Sequence, residues 1–67
     1  MDDWYIYREP GGKIRVSEGH PGELPEGSEI VRLPSTFTEA EVQQGVQEVR
    51  RLGFSWMAEQ LQQSHAA

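Results

Sequence analysis

The sequence contains no cysteine, which excludes both disulfide bonds and thiolate metal sites. Histidine is scarce too: His20 and His65 are too far apart to form a metal-ligand pair of the H-x-x-x-H type. No apolar run approaches the ~20 residues of a membrane-spanning helix, and the start, Met-Asp-Asp-Trp, lacks a basic leader. We therefore expect a cytoplasmic protein that has no metal or other cofactor and does not bind membranes.

Positive charge is also limited. The sequence has six Lys and Arg residues and eleven Asp and Glu residues, which gives a net charge of −5. This balance disfavours general binding to phosphates and favours either solubility or a basic partner. The 67 residues predict a single small domain, 1–67. A chain of this size buries only about 60% of its unfolded surface, so we expect part of its stability to come from self-association or a partner.

Catalytic motifs are missing as well. Nucleophilic catalysis needs a Ser, Thr or Cys beside an oriented base, whereas His20 lies in a Pro/Gly loop and His65 near the end of the chain. The glycines match neither a dinucleotide-binding loop nor a Walker loop. The sequence therefore predicts a non-enzymatic protein, and no motif is specific enough to name a family.

Two short segments near the start predict a β-hairpin. Residues 3–8 are rich in aromatic and β-branched types, and apolar and basic residues alternate along 13–17. A three-residue loop, Pro10-Gly11-Gly12, pairs Ile6 with Val16 and keeps the apolar residues on one face. It places Gly12 at a left-handed bulge position, so Gly12→Val is expected to cost more than about 1 kcal/mol and Gly11→Ala less.

The main helix is predicted at residues 38–52. Thr38 and Glu41 form a capping box, and Phe37 and Val42 a hydrophobic staple around it. Charges complement the helix dipole at both ends. The apolar stripe consists of Val42, Val46 and Val49, with Leu52 on its edge. Gly45 is discordant, and it reflects either close approach to the sheet or a simple defect.

Gly53 predicts the end of this helix. It suits the C′ position of a Schellman ending with Phe54 at C″, after which Ser55 caps a short helical segment at 55–63. The alternative is one continuous helix, because Gly53 and Trp56 also continue the valine stripe. Residues 64–67 are expected to fray.

These elements predict an α+β fold. A third strand is expected at 29–33, before Pro34, and residues 19–27 form a Pro/Gly loop. The order of elements indicates a three-stranded antiparallel β-meander with the main helix packed on one face. The expected core has eleven members: Trp4, Ile6, Ile14, Val16, Val31, Leu33, Phe37, Val42, Val46, Val49 and Leu52.

Two groups of residues are candidate binding sites. On the sheet face away from the helix, the hairpin interleaves aromatic and basic side chains: Tyr5, Tyr7, Lys13 and Arg15. Such a face suits a protein partner, stacked single-stranded nucleic acid, or simply cross-strand pairing. The second group follows Gly53 and is rich in types enriched at interface cores: Phe54, Trp56, Met57 and Leu61. Its alternative role is to cover the open end of a small core.

The predicted function is a protein-interaction module, for example an accessory or inhibitory regulator of bacterial or phage origin. The charge balance counts against nucleic acid as a partner, although a single-stranded nucleic-acid binder and an acidic mimic of nucleic acid remain the alternatives. A weak homodimer or a partner-bound monomer is expected. The two states are linked to Gly53: a break there favours a monomer and a continuous helix a dimer.

Overall fold

The sheet and helices described by the computed structural model confirm the α+β class. The structure describes residues 2–65, and the side chains of 63–65 are not part of that description. The elements in chain order are β1 (Trp4–Arg8), β2 (Arg15–Glu18), β3 (Glu29–Leu33), α1 (Glu39–Leu52) and α2 (Phe54–His65).

The β1–β2 hairpin has the predicted register, since Ile6 pairs with Val16. Its turn differs from the prediction. The Gly12 N–H donates to the Glu9 carbonyl oxygen at 2.9 Å, and Gly11, not Gly12, has a positive φ of 74°. Pro at the second position and a positive-φ Gly at the third are typical of a type II turn. The left-handed bulge predicted at Gly12 is therefore wrong.

The strand order also differs from a meander. The sheet order is β2-β1-β3, so β1 is central and pairs antiparallel with both other strands. The ten-residue connection between β2 and β3 is long enough to carry the chain from one sheet edge to the other. This places the most apolar strand between two neighbours, where Ile6 is fully buried.

Helix α1 begins as predicted. The Glu41 N–H donates to Thr38 Oγ1 at 3.2 Å, and the Thr38 N–H donates to Glu41 Oε1 at 3.0 Å, which completes the capping box. The valine stripe is buried against the sheet. Gly45 is buried too, and a β-carbon there would lie 3.0 Å from Met57 Cε and 3.3 Å from Ile6 Cδ1. Gly45 therefore permits close packing between α1, α2 and the sheet.

Helix α1 ends at Leu52, and the predicted break at Gly53 is confirmed. Gly53 has φ 92° and ψ 165°, which is not the left-handed geometry of a Schellman ending. The chain turns within this one residue, so α2 begins at Phe54 and includes Ser55 instead of being capped by it. Helix α2 extends to His65, beyond the predicted end, and residues 66 and 67 of the expected frayed tail lie outside the described residues.

The core lies between the helices and one face of the sheet. Its buried hydrophobic members are Ile6, Val31, Leu33, Val42, Val46, Val49, Phe54 and Met57. Four predicted members pack against it while only partly buried: Trp4, Ile14, Val16 and Phe37. Leu52 was predicted in the core but is 47% exposed, because it lies at the very end of α1 where the chain turns away.

Candidate functional site

The sheet face opposite the helices carries the predicted tyrosines in two rows of paired residues. In one row Tyr7 lies between Arg15 of β2 and Ile30 of β3. In the other row Tyr5 lies between Ser17 and Arg32. Both tyrosines are partly buried, and Lys13 and Arg15 are exposed. We refer to this surface, Tyr5, Tyr7, Arg15, Ile30 and Arg32, as the tyrosine face. The strand predicted at 13–17 begins at Arg15, so Lys13 lies in the hairpin connection before β2 and not in the paired sheet.

The connection between β2 and β3 reaches the tyrosine face. The His20 ring meets the Tyr5 ring edge-on, with 5.1 Å between the centroids. The Gly22 N–H donates to His20 Nδ1 at 3.0 Å, which orients the imidazole. The loop between β2 and β3 therefore covers part of the Tyr5 ring. The row that contains Tyr7 is the more accessible part of the face.

Sequence reasoning missed Ile30 and Arg32 as members of this face. Ile30 is 40% exposed and lies beside Tyr7, so it adds an aliphatic surface to this face. The signal was present: alternation along β3 buries Val31 and Leu33, so Ile30 and Arg32 must point to the other side.

Asp3 holds Arg32 in place at the edge of this face. Asp3 Oδ2 lies 3.0 Å from Arg32 Nε, and Asp3 Oδ1 accepts a hydrogen bond from the Ser35 N–H at 3.1 Å. The carboxylate thus joins the start of β1 to the end of β3. Arg15 and Arg32 supply the positive charge of this face, and the Asp3 carboxylate partly balances that of Arg32.

The second predicted site, after Gly53, is largely part of the core. Phe54 and Met57 are each 7% exposed, so neither is accessible to a partner. Trp56 and Leu61 are partly buried and pack against the same core. The reason is the break at Gly53, which folds α2 back against α1 and β3. The assignment of Phe54 and Met57 to a docking surface is therefore corrected.

An open groove lies between α1 and α2, where Trp56 remains accessible. Its volume is about 180 Å³. It is lined by Phe37, Glu41, Gln44, Gly45, Glu48, Trp56 and Met57. The groove combines an aromatic and apolar surface with two carboxylates, and sequence reasoning did not identify it because its residues come from three separate segments.

Further features limit the chemistry of the described residues. Among the side chains that the structure describes, those of residues 2–62, no three from His, Asp or Glu come together as a metal site. Between residues 2 and 65, neither helix combines the length and apolar character needed to cross a membrane. Comparison with known proteins identified no relative: no family model, curated protein or solved structure matches the chain.

Proposed function

We propose that this protein is a non-enzymatic interaction module that docks on a larger protein through the Tyr7 row of its tyrosine face. The proposal includes a cytoplasmic role as an accessory or inhibitory factor of bacterial or phage origin. The proposal rests on the chemistry of one surface, because the sequence analysis found no nucleophile beside an oriented base.

The observation that carries this proposal is the exposure of Ile30 beside Tyr7. Ile30 is 40% exposed although the helices bury the neighbouring Val31 and Leu33 on the other side of the sheet. An aliphatic residue, a tyrosine and an arginine in one row have the composition of an interface centre, where aromatic residues and Arg are enriched. Docking would remove this apolar surface from water, a favourable change of roughly 25 cal/mol per Å².

Single-stranded nucleic acid is the alternative ligand for the same face, because tyrosines beside cations can stack bases and hold phosphates. Three observations favour protein. The Tyr5 ring contacts His20, Arg32 is paired with Asp3, and the net charge of −5 repels a polyanion.

The test is affinity capture from the native host's lysate with three baits, followed by mass spectrometry. Ile30→Thr removes the aliphatic surface but keeps a β-branched residue in the strand. Leu52→Gln is the matched control, because Leu52 is also an exposed large hydrophobic residue, at 47%, but lies at the end of α1. We expect a protein retained by wild type and Leu52→Gln and lost by Ile30→Thr. Equal capture by all three baits would contradict docking through the Tyr7 row.

A second measurement separates the two ligand classes. Fluorescence anisotropy with labelled single-stranded oligonucleotides at two salt concentrations is expected to show no micromolar binding. Salt-sensitive binding that Arg15→Ser weakens would instead identify the tyrosine face as a nucleic-acid platform.

A further inference from the structure

The groove between α1 and α2 has Gly45 and Met57 among its lining residues. Because Gly45 has no β-carbon, Met57 packs directly against α1 there, and a β-carbon would lie 3.0 Å from Met57 Cε. Glu41 and Glu48 line the groove on either side of Gly45 along α1. Phe37 and Trp56 also line the groove. Its volume of about 180 Å³ is comparable to cavities of roughly 150 Å³ that hold a benzene ring, so the groove can take one long side chain.

The two carboxylates lie on the same side of α1, at opposite ends of the groove. They are seven residues apart, which corresponds to about 10 Å along the helix axis. Glu41 Oε1 accepts a hydrogen bond from the Thr38 N–H, and Glu48 Oε2 lies 2.8 Å from Arg51 Nη2. A carboxylate has acceptor capacity for more than one donor, so each can also bind a ligand.

The ion pair of Glu48 with Arg51 does not block the groove. Arg51 is 70% exposed, and ion pairs of exposed side chains are weak because solvent screens them and side-chain entropy opposes them. A cation that enters the groove can therefore share or replace this contact.

We propose that this groove binds the side chain of an arginine that projects from a basic segment of a protein partner. The charge complementarity is direct, because the groove is flanked by carboxylates in a protein of net charge −5. Arginine fits better than lysine: its planar guanidinium stacks on an aromatic ring while its N–H groups form paired hydrogen bonds with a carboxylate. The groove lies on the helix side of the molecule, so this inference is independent of docking through the tyrosine face.

The experiment is an NMR titration of the full ¹⁵N-labelled chain with acetyl-Gly-Arg-Gly-amide, beside peptides with Lys or norleucine in place of Arg. We expect saturable shifts of the Gly45 amide and the Trp56 indole, strongest for the Arg peptide. Glu41→Gln and Glu48→Gln should each weaken binding roughly threefold to fivefold, as expected for one partly exposed ion pair. Glu41→Gln retains a capping-box residue, which keeps the fold intact.

Glu39→Gln is the matched control, because it removes an exposed carboxylate from the same helix but does not line the groove. It should leave the affinity unchanged. The proposal is overturned if the peptide causes no saturable shift, if Glu39→Gln weakens binding as much as Glu48→Gln, or if the Lys or norleucine peptide binds equally well. Shifts at Gly45 and Trp56 on dilution of the protein alone would assign the groove to a second copy of this chain and would also overturn it.

Discussion

At the scale of single residues, the hairpin turn depends on the backbone of Gly11. Its φ of 74° lies in the left-handed region, which costs a side chain roughly 1–2 kcal/mol. We therefore expect Gly11→Val to lower the free energy of unfolding by more than about 1 kcal/mol in urea denaturation. Gly12→Ala should cost less, because its φ is not positive and the nearest atom to its new β-carbon would be the Glu9 carbonyl oxygen, at 3.3 Å. If Gly12→Ala cost more stability than Gly11→Val, the left-handed bulge predicted at Gly12 would be correct after all.

Arg8 is a second residue whose role depends on its neighbours. Its guanidinium carbon lies 5.6 Å from the centre of the Phe54 ring, and the guanidinium also pairs with Glu29. We expect Arg8→Ala to be destabilising by roughly 1 kcal/mol, through loss of a cation–π contact and of the aliphatic stem that covers the core. Glu29→Gln should cost less, because both members of the ion pair are more than 40% exposed. Thermal unfolding of the two variants tests this, and an equal loss would attribute the effect to the ion pair.

At the scale of elements, the turn between the helices requires glycine at position 53. Its φ of 92° and ψ of 165° belong to a region that is essentially restricted to glycine. Gly53→Ala is expected to lower the free energy of unfolding by about 1–3 kcal/mol in chemical denaturation. Ser55→Ala is the control: Ser55 is exposed in the first turn of α2, so its effect should stay within about 0.5 kcal/mol. A tolerated Gly53→Ala would show that the helices can join by another geometry.

The start of α1 depends on its capping box. Thr38 Oγ1 accepts the Glu41 N–H, one of the backbone donors that the first helical turn cannot satisfy internally. Thr38→Ala should therefore destabilise the protein by about 0.5–2 kcal/mol, measured by urea denaturation. Thr36→Ala removes a hydroxyl from an exposed residue two positions earlier, outside the helix, and should have little effect. If the two variants lost equal stability, the cap would not be the cause.

At the scale of the whole molecule, the break at Gly53 decides what covers the C-terminal apolar residues. Since Phe54 and Met57 are buried within the same chain, they do not need a second copy to shield them. The link between helix break and oligomeric state therefore predicts a monomer of 7.6 kDa in sedimentation equilibrium. Trp56→Ala should remain monomeric as well. A dimeric wild type that Trp56→Ala converts to a monomer would contradict the link.

The candidate sites could be predicted from the sequence only in part. The partners of Tyr7 across β1 and β2 follow from alternation and turn length, so Arg15 was correctly placed beside it. Ile30 joined the same row only because β3 pairs with β1 and not with β2. The groove at Trp56 was not predictable, because Phe37, Glu48 and Trp56 meet only after both helices have packed.

Patterns within a few residues were sufficient for the α+β class, the strand faces, the hairpin register, the capping box and the break at Gly53. Each depends on local geometry, such as the alternation of a strand or the backbone freedom of a glycine. The central position of β1, the burial of Phe54 and Met57, the exposure of Leu52 and the groove were decided by packing between elements. Periodicity says which side of an element is apolar, but not which neighbour will cover it, because that choice depends on contacts between residues far apart in the chain.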